Sequence, residues 1–272
     1  MRQPSSLLDL LPREVRGSGA WIAVTTGESN AEVFRREDGW AYAKCIGPGG
    51  IDALDAECRR IEWLSGTGIP GPDVGHWSAS DRGACLVTTA VPGVPASRVS
   101  AVELRRAWPS ITDMLRRLHA LPAPDCPFDR SLARTFRLAE DVVGRGAVNA
   151  DFLPHEHRHT PPSELLAELR PQLERRLLQE THDRVVCHGD ACLPNLMLDP
   201  RTAECTGLID LGRLGTADRY ADIALLLASS RETWRDEDEA GCADDEFFRS
   251  YDIETVDRER LRFYLDLDPL TW

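Results

Sequence analysis

No apolar run in these 272 residues approaches the roughly 20 that a helical membrane span needs. A helical channel or transporter is therefore excluded. Net positive charge is missing too, since 32 Lys and Arg stand against 45 Asp and Glu for a formal charge of −13. That balance argues against binding nucleic-acid phosphates nonspecifically and against an anionic lipid surface, and it favours a cationic small-molecule partner. The opening MRQPSSLLDLLPREV lacks the apolar core of a secretory signal, and the eight cysteines lie scattered through a long chain. A reduced, cytoplasmic protein is expected. Internal repeats and low-complexity tracts are absent, and no obligate protein partner is evident. The acidic stretch between Arg235 and Glu246 reads as solvated surface.

What is present is enough for a sizeable core, with 42% hydrophobic residues spread over one large domain or two lobes. Trp21 to Thr26 and Glu32 to Arg36 read as strands, and the turn Glu37-Asp38-Gly39 leads into a third, Trp40 to Ile46. After the break GPGGID, residues Leu54, Cys58, Ile61 and Leu64 recur at helical spacing up to Gly66. A further strand, Ala84 to Ala90, runs into VPGVPAS, a connector rich in chain breakers. The expected organisation is a β-rich lobe over residues 1–90 and a mainly helical lobe over 91–272. Helical patterns span Ala101 to Leu121, Ser131 to Val143 and Ser163 to Leu178, and a short β-rich island runs from Arg184 to Asp210.

Polar residues at the ends of short apolar strands concentrate between Val185 and Leu225. Asp190 follows a His-Gly pair, Asn195 comes five residues later, and Asp210 ends the run Gly207-Leu208-Ile209. One carboxylate can receive a hydroxyl proton while an amide oxygen and a second carboxylate hold magnesium, which prefers a few hard oxygen ligands plus phosphate. Lys44 shares a strand face with Trp40, Tyr42 and Ile46, and Glu57 lies on the apolar side of the next helix. Two opposite charges thus point toward one interior, where desolvation offsets much of the attraction and function explains their presence better than stability. Snorkelling of Lys44 to solvent is the bland alternative. Cys187, His188, Cys192 and Cys205 include zinc-ligand types but lack the paired short spacings of zinc knuckles. His155, His157 and His159 in PHEHRHT read as a polar loop.

The string HGDACLPN followed by IDLGRLGTADRYADIA resembles the signature of the aminoglycoside phosphotransferases, relatives of the protein kinases. The resemblance implies an α+β, bilobal, protein-kinase-like fold and an enzyme that uses ATP and Mg2+. It makes Asp190 the catalytic base or hydroxyl-orienting residue and Asn195 and Asp210 the magnesium ligands, with Arg213 nearby. His188 then braces the loop, and Asp222 supports its backbone from the following helix. Lys44 matches the strand lysine that touches the α- and β-phosphates and Glu57 the helix glutamate that holds it. The segment GESNAEVFR resembles a reduced phosphate loop with Ser29 near the phosphates, although G-x-G-x-x-G is absent. By the same resemblance Tyr42 and Ile209 sandwich adenine, and the backbone at Thr89 and Val91 binds its edge.

Acceptor clefts of this family are lined with carboxylates, and Asp151, Glu156, Asp266 and Asp268 are the candidates here. EVFRREDGWAYAKC, ACLVTTAVPGVPAS, DVVGRGAVNADFLP and FYLDLDPLTW resemble the branch of the family that modifies streptomycin. That implies transfer to the 3''-hydroxyl on the N-methylglucosamine ring and loss of antibiotic action. Rival expectations are a kinase for another aminoglycoside or for choline, homoserine or a fructosamine, and a catalytically silent nucleotide-binding module. HGD in place of HRD, IDLG in place of DFG and the missing APE segment argue against protein substrates.

Overall fold

The structure, a computed structural model, describes residues 7–17, 19–24 and 31–272. Its described residues form two compact units. The first runs up to Gly93 and takes in Thr206–Gly212, and the second comprises Val94–Cys205 and Arg213–Trp272. The chain therefore crosses between units three times. Sequence continuity had left residues 206–212 with the helical lobe.

In the first unit a short helix, α1 (Arg13–Arg16), precedes a five-stranded antiparallel sheet. The strands are β1 (Trp21–Val24), β2 (Glu32–Arg36), β3 (Ala41–Ile46), β4 (Val74–Ser80) and β5 (Gly83–Thr89), in the order β1-β2-β3-β5-β4. Thr25 and Thr26, the expected end of the first strand, lie outside the described residues. Helix α2 (Ile51–Ser65) buries Leu54, Glu57, Cys58, Ile61 and Leu64, the stripe its spacing predicts.

Alternation along β3 sets the character of its two faces. Ala41, Ala43 and Cys45 are buried together with Phe34, Cys85 and Val87, whereas Tyr42, Lys44 and Ile46 lie on the half-buried side. Lys44 thus sits on the more open face, and Trp40, just before the strand, is largely exposed. Cys45 and Cys85 are register partners across β3 and β5 and are joined by a disulfide. The expectation of wholly reduced cysteines is corrected at this pair: the two lie 40 residues apart in sequence but face each other across neighbouring strands. The other six cysteines are in no disulfide.

The second unit holds helices α3 (Ala101–His119), α4 (Leu132–Gly144), α5 (Pro162–Leu169), α6 (Leu173–Asp183), α7 (Arg219–Ser230), α8 (Glu237–Tyr251) and α9 (Arg258–Leu267). Ser100 and Glu103 start α3 with a reciprocal capping box. The single helix expected from Ser163 to Leu178 is two, because Pro171 supplies no amide hydrogen and a 3-10 turn, Arg170–Gln172, takes its place. The acidic stretch opens α8, capped by Asp236; Glu237 and Asp238 are exposed as expected, but Asp244 turns inward and is buried against Arg231.

Short strands frame the segment that carries His188, Gly189 and Asp190. β6 (Val94–Pro95) pairs with β8 (Leu196–Asp199), and β7 (Arg184–Cys187) pairs antiparallel with β10 (Gly215–Asp218). β9 (Glu204–Leu208) carries the chain from the second unit into the first. A core of Leu132, Phe136, Leu166, Tyr220, Phe263 and Leu267 joins α4, α5, α7 and α9. Among the described residues no helix is long and apolar enough to cross a membrane.

Candidate active site

Lys44 is the only lysine in the chain. Its Nζ lies 2.8 Å from Glu57 Oε2 and 3.4 Å from Asp210 Oδ1, all three within the first unit. β3 supplies the lysine, α2 the glutamate, and the returning segment after β9 the aspartate. Burial alone would lower the Lys44 pKa, but Glu57 and Asp210 outweigh it and hold the ammonium above its ordinary value. Burial, with Asp210 adding repulsion, raises Glu57 against the pull of Lys44. Snorkelling is excluded, since the ammonium points at two carboxylates.

Asp210 has a positive φ of 57°, a conformation that costs a non-glycine residue energy and persists where surrounding structure fixes it. Its side chain is half exposed, with 53% accessibility, so this carboxylate is open to a ligand while Glu57, at 10%, is not. Behind it Gly212 is packed on Glu57, and the Leu208 amide donates to Pro70 O at 3.0 Å. Tyr42, Thr89, Val91 and Ile209 belong to this same unit. The Thr89 amide donates to Asp73 O at 2.9 Å. Ser29 lies outside the described residues.

The second unit builds a different set. β7 ends at Cys187, and His188, Gly189 and Asp190 turn away from it. Gly189 has φ +81°, and a Cβ there would stand 2.1 Å from Arg213 O and 2.8 Å from the Arg130 side chain. Only glycine fits this turn. Asn195 Nδ2 donates to Asp190 O and to Asp190 Oδ2, each at 2.9 Å, and the Asp190 amide donates to His188 Nδ1 at 3.2 Å. Asp190 is thus aimed by its own loop and stays partly exposed. Cys192 donates from Sγ to Asp190 Oδ1 at 3.5 Å, and burial together with Asp190 pushes its thiol pKa up.

Asp222 underlies the turn from α7, fully buried. Its Oδ2 accepts from the His188 amide at 2.6 Å and its Oδ1 from the Gly189 amide at 2.8 Å. Burial would raise this carboxyl, but the hydrogen bond from His119 and those from the loop outweigh it and keep Asp222 below the usual range. Among the described residues, the cluster of metal-ligand types is His119, Cys187 and Asp222 rather than the cysteines weighed for zinc. Its atoms are spent on hydrogen bonds, since His119 uses both ring nitrogens and Cys187 donates to Asp218 O.

Three of the four carboxylate candidates for the acceptor lie against arginines. Arg262 makes two 2.9 Å contacts to Asp266 and reaches Glu156 at 3.7 Å and His157 at 3.1 Å. Asp268 lies 3.2 Å from Arg213 and 3.9 Å from Arg130, and accepts from the Trp272 indole. Arg213 is held at the chain end, bonded to Thr271 and stacked 4.1 Å from the Trp272 ring centroid. Asp151 is exposed, in the 3-10 turn Ala150–Phe152 capped by Asn149. Arg130, His119 and Tyr251 were not picked out from the sequence; His119 alone carried a signal, as a polar residue on the buried stripe of α3.

A model of the phosphotransferase enzyme family matches residues 21–264. The chain belongs to the phosphotransferase enzyme family. It is 59% identical over 93% of its length to a streptomycin 3''-kinase of Streptomyces griseus, 93% of which is covered. An aminoglycoside 3'-phosphotransferase of Streptomyces fradiae is 41% identical, with 91% of this chain and 94% of the relative covered. The solved aminoglycoside phosphotransferase APH(3'')-Id of Streptomyces rimosus, in complex with ADP and streptomycin, superposes with a TM-score of 0.89 at 53% identity, covering 95% of this chain and 96% of that one. The α+β kinase-like fold, β-rich in one unit and mainly helical in the other, follows the family.

Proposed function

We propose that the enzyme transfers the γ-phosphate of ATP to the 3''-hydroxyl of streptomycin in the cytoplasm, inactivating the antibiotic. The observation that carries this reading is the 59% identity to a streptomycin 3''-kinase across nearly the whole of both chains. In the reaction the acceptor oxygen bonds to the γ-phosphorus, the bond from that phosphorus to the β–γ bridging oxygen breaks, and ADP leaves. Asp190 takes or orients the hydroxyl proton, and Lys44, steadied by Glu57, contacts the α- and β-phosphates. Tyr42, Ile209 and the backbone at Thr89 and Val91 seat the base, with Ser29 beside the phosphates.

The donor set suits a hard cation. Asn195 commits its amide nitrogen to Asp190, so its carboxamide oxygen is the atom available as a ligand, and Asp210 offers an accessible carboxylate. Magnesium held by Asn195 and Asp210 would offset the negative charge of the phosphates. Asp151, Glu156, Asp266 and Asp268 are the proposed contacts to the cationic acceptor, whose guanidinium groups suit bidentate pairing with carboxylates. Arg262 already engages Asp266, sharing its Nε–H between both carboxylate oxygens.

Incubating the protein with magnesium-ATP and, separately, streptomycin, kanamycin, choline and homoserine, then following phosphate gain by mass, tests the proposal. Streptomycin is expected to be modified. Kanamycin modified without streptomycin would overturn the acceptor assignment and leave the transferase reading intact.

A further inference from the structure

Two buried polar side chains, with a half-buried arginine beside them, lie behind the catalytic turn and have no part in the chemistry described so far. His119 closes α3, Tyr251 closes α8 and Arg219 opens α7. Only 7% of His119 and 6% of Tyr251 is exposed, so each must satisfy its polar atoms inside the protein. His119 Nε2 lies 3.1 Å from Asp222 Oδ2, and His119 Nδ1 bonds to the Tyr251 hydroxyl. The phenol ring is fixed by stacking on Phe247, with centroids 5.4 Å apart, and meets the imidazole edge-on at 5.7 Å.

Proton directions follow from the partners. Arg219 packs its guanidinium carbon 5.9 Å from the Tyr251 ring centroid. Asp222, an ionised carboxylate, only accepts, so His119 donates to it from Nε2 and takes the phenol proton on Nδ1. The imidazole then carries its proton on Nε2 and donates it to Asp222. Asp222 in turn accepts from the amides of His188 and Gly189, the two residues immediately before Asp190.

We propose that Tyr251 is a positioning residue for phosphoryl transfer, acting through His119 and Asp222 on the His188–Gly189 backbone and so on the aim of Asp190. Helix α8 thereby contributes to turnover through its last residue. Removing the hydroxyl leaves His119 Nδ1 as a buried acceptor without its donor and releases the ring from the orientation in which Nε2 meets Asp222. The carboxylate loses its lateral support, and the turn that carries Asp190 gains freedom.

The test is Tyr251→Phe in the full chain, assayed with magnesium-ATP and streptomycin. The expected result is a kcat lower by about 10-fold, the scale of a small misplacement transmitted from outside the reacting groups. KM for both substrates should stay within about twofold, a split that marks loss of a transition-state interaction rather than of binding. Amide exchange in a peptide spanning residues 185–192 should accelerate while exchange in β2 and β3 does not change. In a His119→Gln background, which keeps a donor for Asp222 but severs the link to the phenol, Tyr251→Phe should cost less than about twofold more, because the two changes lie on one path. Wild-type kcat in Tyr251→Phe, a rise in KM alone, or the same 10-fold cost in both backgrounds would each overturn the proposal.

Discussion

Glu57→Ala isolates the charge arrangement of the first unit. The substitution leaves Lys44 with Asp210 at 3.4 Å in place of Glu57 at 2.8 Å. Breaking a buried pair costs about 3–5 kcal/mol when the surviving charge is stranded. Here Lys44 retains a second carboxylate and 23% side-chain exposure, so the expected loss is smaller, about 1.5–3 kcal/mol. At roughly 2–4 °C per kcal/mol for a chain near this size, the melting temperature should fall by about 3–12 °C. The ammonium, no longer held by Glu57, turns toward the carboxylate assigned to the cation, and KM for magnesium-ATP should rise about 10-fold with little change for streptomycin. Because the chain has a single lysine, an amine-reactive reagent reads this site directly by peptide mass. Burial lowers the Lys44 pKa and Glu57 raises it, so losing Glu57 should make labelling faster at mildly alkaline pH. Unchanged melting temperature, nucleotide KM and labelling rate together would refute the argument.

Other expectations are as specific. Asp190→Ala should lower kcat by at least ~10²-fold with nucleotide binding nearly intact, as measured by single-turnover phosphorylation and ADP titration. Asp222 is held below its ordinary pKa, so its contribution to stability is complete above the unfolded value near 4 and is lost as pH falls through the lower folded value. The melting-temperature gap between wild type and Asp222→Asn should therefore be constant at neutral pH and shrink below about pH 4; a gap that persists to pH 3 would count against it. Reduction of Cys45–Cys85 opens a covalent loop of 40 residues, worth at most about 4 kcal/mol by chain entropy. Dithiothreitol should lower the melting temperature by several degrees, less than that ceiling implies because β3 and β5 stay paired.

The pieces of the proposed site were legible in the sequence where chemistry and spacing coincide. Lys44 stood out as a charge on a strand with apolar neighbours, and Glu57 as a charge within a helical stripe, and the two meet. The HGD turn announced itself by its glycine, and the structure supplies the reason in the carbonyl of Arg213. Other features depend on contacts between segments far apart in sequence. β4 was missed because VGHWSAS is small and polar and carries a bulge between Val74 and His76, which hides the period of two. The Cys45–Cys85 pair follows from strand register, and the Tyr251–His119–Asp222 chain joins three helices whose local patterns show only that each residue is buried or polar.

The central claim is best tested by locating the phosphate on the product. Magnesium-ATP and streptomycin should yield ADP and singly phosphorylated streptomycin in equal amounts, with nuclear magnetic resonance placing the phosphate on the 3''-oxygen. ADP formed without modified streptomycin, or a phosphate on another hydroxyl, would contradict the account.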